Sequence, residues 1–233
     1  LDEMKEIHAK LLIYLDNEND IEENFQNLHE IFTDLKINDN QYKLKSLLHL
    51  ISRISTNHFR SVNFFTKIER ILQNFEVEIK KFYTNLQIFN IFKSNKRILL
   101  FLWEEQIIIF DNCITKKFFN IDKFKELKYP QYFSPEIYQF KNEKWFKNYL
   151  IIQKLPDNFY EKRKIGENDS IVCDLIQKDL LKEFIIFANR NDLSLDDSIE
   201  TSIFETNSFL LKKGQPSLIE YAAFYGSIQI FNY

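Results

Sequence analysis

The side chains best suited to metal binding or nucleophilic catalysis are few in this sequence, and they lie far apart. The four histidines and two cysteines are His8, His29, His49, His58, Cys113 and Cys173. No two of them have the short spacing that places two ligands on one helical face or in one zinc knuckle. The cysteines, 60 positions apart, also form no disulfide framework. The sequence therefore predicts no metal site and a reducing compartment.

Paired carboxylates and glycine loops, which carry acid–base chemistry and bind phosphates, give equally weak signals. Acidic pairs occur at residues 104–105 and 196–197, but neighbours on a helix point about 100° apart and cannot face one substrate together. The three glycines are Gly166, Gly214 and Gly226. They are too dispersed for a nucleotide-binding loop. We predict no catalytic residues, no cofactor and no enzymatic activity, and the alternative is a helical enzyme whose site no sequence pattern reveals.

The composition favours a folded protein built from helices. The sequence has 24 Phe and 11 Tyr but only 3 Gly and 4 Pro, and sheet-rich folds need more turn residues than that. Hydrophobic residues make up 45% and charged residues 28%, which is close to globular usage and argues against disorder. With 233 residues, the chain is long enough for one large domain or two smaller ones.

The overall charge argues against nucleic acid as the partner. The net charge is -3 and the pI about 5.9, whereas nucleic-acid-binding domains usually carry a basic balance. One segment, residues 140–149, interleaves lysines with aromatic residues, as in proteins that stack bases above a phosphate-tracking groove. Glu143 and the aromatic richness of the whole chain favour a core anchor instead. Nucleic-acid binding through residues 140–149 is therefore the alternative function.

No signal peptide or membrane span is predicted. Residues 1–5 lack an apolar signal region, and the absence of an initial Met leads us to expect a piece of a longer protein. The most apolar stretch, residues 98–110, is interrupted at residues 104–106, whereas a span needs about 20 apolar residues without such an interruption. We interpret this stretch as buried helix and expect a cytoplasmic or nuclear protein.

Apolar residues recur at helical spacing along most of the chain. The first two helices form a hairpin with a polar hinge at residues 17–20, and a third follows. Between residues 62 and 82 the spacing predicts one helix, buried in a bundle rather than exposed as a coiled-coil seam. Ser94 and Ser134 are the predicted N-caps of two further helices. Residues 120–156, which hold three of the four prolines, are predicted to be a connector.

The most informative motif occupies residues 217–231. Ser217 and Glu220 have the spacing of a capping box, and Gly226 can take the left-handed conformation at which a helix stops. The segment resembles an ankyrin repeat, whose first helix opens with Thr-Pro-Leu-His-x-Ala-Ala and ends at a glycine. The matching residues are Ser217, Ile219, Glu220, Ala222, Ala223, Gly226, Ile230 and Phe231. Leu218 replaces the proline of the family.

Residues 171–187 look like a degenerate copy of this motif. The offset is 47 residues, longer than the usual ankyrin period of about 33. Residues 175–176 stand where Ala222 and Ala223 do, and Asp179 lies near the position of the glycine. A weaker echo places Asn95 at the glycine position, because Asn also tolerates the left-handed conformation. The chain is similar to a large family of protist proteins in which a helical N-terminal region precedes ankyrin repeats.

Together these patterns predict an all-α fold, a helical solenoid or bundle that leads into degenerate ankyrin-like helix pairs. We place a helical region at 1–156 and the first, capping repeats at 157–233, with the array continuing beyond the C-terminus. The resemblance implies that the chain binds another protein or acts as a scaffold, without catalysis. Ankyrin arrays bind through the tips before the first helix and the exposed side of that helix. The corresponding residues here are Lys213, Gly214, Phe224 and Tyr225.

Overall fold

The computed structural model is all-helical, as the sequence predicts. It describes residues 2–17, 21–57, 61, 63–140, 142, 155–207, 210–211 and 215–233. These residues contain sixteen helices and no strand, and none of the helices described is long and apolar enough to cross a membrane. The chain forms two compact units, residues 1–109 and 110–233. The boundary that we placed between residues 156 and 157 lies inside the second unit.

The first unit is a layered set of helices around one apolar core. Its described helices are α1 (Asp2–Asp16), α2 (Ile21–Asp34), α3 (Gln41–Asn57), α4 (Phe64–Asn74), α5 (Glu76–Phe82), α6 (Asn85–Phe92) and α7 (Lys96–Glu104). Helix α1 packs against α2, α3 and α4, while α3 packs against α6 and α4 against α7. The apolar stripes meet in the core, where Leu11, Leu47 and Phe89 are fully buried.

The apolar stripe of residues 62–82 is buried, but it does not form one helix. Its members Ile68, Leu72 and Ile79 are in the core, which favours bundle packing over an exposed seam. The helix breaks at Phe75, which has φ −108° and ψ 12° and separates α4 from α5. The Phe75 ring packs against Phe32, with ring centroids 5.2 Å apart. The prediction of one continuous helix is therefore wrong. The apolar spacing could not reveal the break, because it continues unchanged across Phe75.

Two predictions about the start of α7 are also wrong. The N-cap is Asn95, not Ser94, and its side-chain oxygen accepts hydrogen bonds from two amides of the first turn at 3.0 and 3.1 Å. Its side-chain amide donates to the Ser55 carbonyl at 2.7 Å, so the cap has a buried tertiary partner in α3. Asn95 has φ −130°. It is not in the left-handed conformation, so the proposed echo of Gly226 is absent.

The apolar stretch of residues 98–110 is only partly helical. Helix α7 ends at Glu104, and the chain then turns at Gln106, which has a positive φ of 55°. Ile107 and Ile108 are nevertheless buried, whereas Ile109 is 62% exposed. The prediction of a buried helix therefore fails beyond residue 104, where the segment is only partly buried.

The second unit begins with short helices around aromatic side chains. The described helices are α8 (Asn112–Asn120), α9 (Asp122–Glu126), α10 (Tyr129–Tyr132), α11 (Ser134–Tyr138), α12 (Phe159–Ile165), α13 (Ile171–Gln177), α14 (Leu181–Asn191), α15 (Leu218–Tyr225) and α16 (Ile228–Phe231). Phe118 of α8 stacks on Phe133, with ring centroids 5.0 Å apart and planes 6° apart. Such pairs add to the free energy of burying two large rings.

The proline-containing start of α11 differs from the prediction in one detail. Ser134 is the first helical residue and Phe133 is the N-cap. The reason is that α10 runs almost directly into α11, so that the Phe133 carbonyl already accepts the amide of Ile137 at 2.9 Å. Of the lysine and aromatic segment 140–149, only residues 140 and 142 are described, and the predicted core anchor lies otherwise outside the described residues.

A buried ion pair fixes α12 to α11. The Arg163 guanidinium lies 2.7 Å from the Glu136 carboxylate, and both side chains are almost completely buried. Arg163 also donates to the Tyr132 carbonyl at 3.2 Å, and the Tyr132 hydroxyl donates to the Arg163 carbonyl at 2.8 Å. The guanidinium carbon of Arg163 also lies over the Phe159 ring, 5.2 Å from the ring centroid. This cluster therefore holds the helix that leads into the repeat-like region.

Candidate functional site

The last four helices among those listed above form two hairpins that stack on each other. Helix α13 pairs with α14, and α15 pairs with α16; between the pairs, α13 packs against α15 and α14 against α16. Their shared core comprises Cys173, Ile176, Phe184, Ala188, Ile199, Leu210, Leu218, Tyr221, Ala222, Tyr225 and Ile230. The arrangement is one in which neighbouring helix pairs bury a continuous core between them, as in repeat proteins.

Helix α15 begins at a capping box. The Ser217 hydroxyl oxygen accepts the amide of Glu220 at 3.3 Å, and the Glu220 carboxylate accepts the amide of Ser217 at 3.0 Å. The amides of the two intervening residues, Leu218 and Ile219, donate to the carbonyls of Asp197 and Leu195, both at 2.9 Å. The amides that open the helix therefore all have partners. Helix α13 begins in a related way, because the Ser170 hydroxyl oxygen accepts the amide of Cys173 at 3.4 Å.

The turns that close the two hairpins share one backbone geometry. Gly226 has φ 68°, and Asp179, 47 residues earlier, has φ 50°. The amide that follows each of them donates to a carbonyl five residues earlier, at 3.0 Å in both turns. This is the hydrogen-bond pattern of a Schellman C-cap, which requires a left-handed residue. A Cβ at Gly226 would meet no atom within 4 Å, so the backbone conformation is what favours glycine there.

Asp179 also joins the two hairpins. Its carboxylate oxygens accept the amides of Gln229 and Ile230, each at 3.1 Å, at the start of α16. These amides lack partners within their own helix, and a negative charge at a helix N-terminus is favourable. The Ser227 hydroxyl donates to the Ile176 carbonyl at 2.5 Å. The sequence suggested Asp179 only as a substitute for glycine, and no local pattern indicates partners 50 residues away.

The same helix positions are buried in the first pair and exposed in the second. Cys173 and Ile176 of α13 are fully buried in the core shared with α15. Their equivalents on α15, Glu220 and Ala223, are exposed, and the next residue, Phe224, is half-buried. We call Glu220, Ala223 and Phe224 the outer face of α15. It is the face that, in the first pair, contacts the following pair.

Two of the four residues predicted to contact a partner are described. Phe224 is half-buried and packs against the shared core. Tyr225 is only 9% exposed, and its ring lies against Tyr221, with centroids 4.8 Å apart. Tyr225 is therefore a core residue and not a surface residue, because it lies one helical turn after the buried Tyr221 and on the same face of α15. Lys213 and Gly214 lie outside the described residues.

The residues matched to the ankyrin pattern divide between core and surface. Ala222 and Ile230 are fully buried, Ile219 is half-buried, and Ala223 is exposed. Phe231 is 46% exposed, so only the first residue of the matched Ile230–Phe231 pair lies in the core. The small Ala222 side chain lies in the shared core, where a larger side chain would separate the helices.

Burial favours the uncharged forms of Cys173 and Tyr221 in the shared core. Burial raises the pKa of the Cys173 thiol to about 11, and burial likewise raises the pKa of Tyr221. The Tyr221 hydroxyl accepts a hydrogen bond from the Gln177 side-chain amide at 2.7 Å, a further contact between the pairs. In the part of the chain that the structure describes, no three His, Cys, Asp or Glu side chains are grouped so that they could hold a metal ion.

Cys173 is expected to report on the integrity of the stack. In a Cys113→Ser variant, which removes the exposed thiol, Cys173 should react with a thiol reagent only when the hairpins open, because burial keeps it protonated and shielded. In the native wild type only the thiol of Cys113 should react fast with the reagent, and in denaturant both thiols should react fast. Labelling of Cys173 in the native protein as fast as that of Cys113 would contradict the described burial.

Replacing Ser217 with Ala should lower the free energy of unfolding by about 1 kcal/mol, because the amide of Glu220 loses its capping partner. Denaturant titration measures the loss, and faster amide exchange in the first turn of α15 locates it. Ser46→Ala is a matched control, since that hydroxyl is exposed within α3, and its effect should stay below about 0.5 kcal/mol. Equal stability of the two variants would show that the capping box contributes nothing.

Comparison with known proteins identifies no relative of the chain. No protein-family model, no curated protein and no solved structure matches it. The geometry of the two hairpins is therefore the main evidence about function.

Proposed function

We propose that the chain is a protein-binding or scaffold module of an ankyrin-repeat protein, without catalysis. The observation that carries this proposal is the recurrence of one hairpin geometry, with a serine N-cap, a left-handed turn residue and the same turn hydrogen bond 47 residues apart. Proteins that stack such units expose a continuous surface and bind other proteins with it. The sequence pattern of residues 217–231 supports the same class.

The segment before α15 is consistent with this class as well. An ankyrin repeat carries a β-turn ahead of its two helices. Here an antiparallel bridge joins Ser198 to Ser217, and the amide of Ile199 donates to the Pro216 carbonyl at 2.8 Å. More residues separate the two pairs than in the family, as the long offset shows. The segment between them ends at the capping box, where arrays of this kind present their tips.

The partner in this proposal is another protein, bound on the outer face of α15. Ala223 leaves this face flat, and the half-buried ring of Phe224 gives it apolar area. A cytoplasmic or nuclear location follows from the same proposal. It is supported by the two cysteines, both of which are free thiols.

Affinity capture with matched variants tests the proposal. The full chain, Ala223→Arg and Ile186→Arg would each be used to capture proteins from the cytosol of the source cells. Arginine at position 223 places a long charged side chain on the outer face. Ile186 is also exposed but lies on α14, away from that face, so the same new side chain there serves as the control.

We expect at least one protein to be retained by the wild type and by Ile186→Arg, and to be reduced about tenfold or more by Ala223→Arg. Both substitutions are at exposed positions, so circular dichroism and thermal melts should match those of the wild type. An identical set of retained proteins for all three forms would contradict the proposed binding face.

A further inference from the structure

A groove between α1 and α3, in the first unit, has the chemistry of a docking site. The groove has a volume of about 650 Å³. Its floor is apolar and consists of the half-buried Met4, Leu12 and Leu50 together with the buried Ile54. The floor residues come from one face of each helix, at spacings of three to four residues or their multiples. Two packed helices therefore leave an apolar strip between them that no described element covers.

The rim of this groove is basic. Lys5 and His8 stand on α1, while Arg53 and, where the groove continues, His49 stand on α3. Among the described residues, none that lines the groove is acidic, although the whole chain has a net charge of -3. Within the described residues the side chains of His8 and Arg53 form no hydrogen bond or ion pair. The Arg53 guanidinium and the His8 imidazole are therefore available to a partner.

The pKa of His49 reports the same positive environment. Partial burial lowers it, and so do the charges of Lys45 and Arg53 nearby. A carboxylate placed beside these three groups would act in the opposite direction and favour the protonated imidazole. The rim of the groove is thus electrostatically complementary to an acidic ligand.

We infer that this groove binds an amphipathic helix of a partner protein, with an apolar stripe flanked by acidic residues. A helix fits because the groove lies between two helices and is open along its length, and ridges of a third helix can pack into it. The lining positions of α1, from Met4 to Leu12, span about 12 Å at 1.5 Å per residue, or roughly two turns of a docked helix. Glutamates on its flanks would meet the imidazole of His8 on one side and the guanidinium of Arg53 on the other.

This inference shares with the proposed function only the premise that the chain binds proteins. The groove belongs to the first unit, and the outer face of α15 belongs to the second. Ala223→Arg should therefore leave binding at the groove unchanged, and variants of the groove should leave the Ala223-dependent capture unchanged. The two proposals can fail separately.

The test uses the full chain and a fluorescent peptide of about 16 residues, which is long enough to form a helix. Leucines recur on one face of the peptide at positions i, i+3, i+4 and i+7, and glutamates occupy the flanks. A second peptide has lysines in place of the glutamates. Fluorescence anisotropy should show binding of the acidic peptide, at least about tenfold tighter than that of the basic one and weaker as salt is raised.

Two variants locate the binding site. The double variant His8→Glu/Arg53→Glu should bind the acidic peptide about tenfold or more weakly, because like charges would then face the flanks of the peptide. Lys10→Glu is the matched control, since Lys10 is an exposed cation of α1 that does not line the groove, and its effect should stay within about twofold. Amide exchange should slow in α1 and α3 when the peptide is bound.

The inference is overturned if the acidic peptide does not bind, if the basic peptide binds equally well, or if the groove variants bind as the wild type does. The same holds if the groove residues are instead required for binding a single-stranded oligonucleotide or phosphatidylserine vesicles while the peptide does not bind. In that case the rim would bind phosphates and not the carboxylates of a helix.

Discussion

Replacing Arg163 with Met should lower the free energy of unfolding by about 3–5 kcal/mol, because Glu136 would then remain as a buried carboxylate with no cation beside it. The two side chains are only 3% and 2% exposed, so water cannot take over the role of the guanidinium. The Tyr132 carbonyl would lose its donor as well. Denaturant titration of the full chain measures the loss.

Two controls separate the buried charge from ordinary loss of contacts. Glu136→Leu combined with Arg163→Met removes both charges, and much of the lost stability should return, as is usual when a buried pair is replaced by apolar residues. Lys178→Met removes a cation that pairs with Asp174 at the surface at 2.7 Å, and it should cost less than about 0.5 kcal/mol. If Arg163→Met is no more costly than Lys178→Met, the buried pair does not hold α12 in place.

Replacing Asp179 with Ala should lower the free energy of unfolding by about 2–4 kcal/mol, because two changes act together. The amides of Gln229 and Ile230 lose a charged acceptor at the start of α16. Alanine must also adopt the left-handed conformation, with φ near 50°. Chemical denaturation followed by circular dichroism gives the total.

Asp179→Gly and Asp179→Asn separate the two contributions to this loss of stability. Glycine removes the carboxylate but adopts the left-handed conformation without strain, so it isolates the loss of the hydrogen bonds. Asparagine keeps an acceptor and tolerates the same backbone, so it should be the mildest of the three. Equal stability of the alanine, glycine and asparagine variants would mean that Asp179 neither shapes the turn nor joins the hairpins.

Features that depend on neighbours within one helical turn could be predicted from the sequence. The capping box at Ser217 and Glu220 is present because both partners lie three residues apart, and Gly226 is left-handed because a helix stops there. The apolar spacing likewise predicted a third helix, and α3 is present over Gln41–Asn57. In each case the physical cause is local, so the spacing of residue types carries it.

Features that depend on distant partners could not be predicted. Asn95 and Ser94 are both good N-caps, and the choice between them depends on the Ser55 carbonyl, 40 residues away. The break at Phe75, whose ring packs against Phe32, is likewise not visible in the sequence. No breaker residue marks it, and the apolar spacing continues across the break.

The candidate site shows the same division between local and distant causes. The sequence indicated the hairpin and its copy, because caps and turn residues are local signals. It did not indicate that Tyr225 lies in the shared core or that Asp179 joins the pairs, since both follow from how one pair stacks on the other. Which residues form the outer face of α15 is likewise a consequence of stacking.

Native-state amide exchange tests most directly whether α15 and α16 are stacked on α13 and α14 as a second copy of one hairpin. Stacked repeats open together, so the slowest amides of α13 and α15 should have the same free energy of opening, and Asp179→Ala should lower both by the same amount. Unequal opening energies in the wild type, or a variant that affects α16 alone and leaves α13 and α15 unchanged, would contradict the stacked repeat and the binding face built on it.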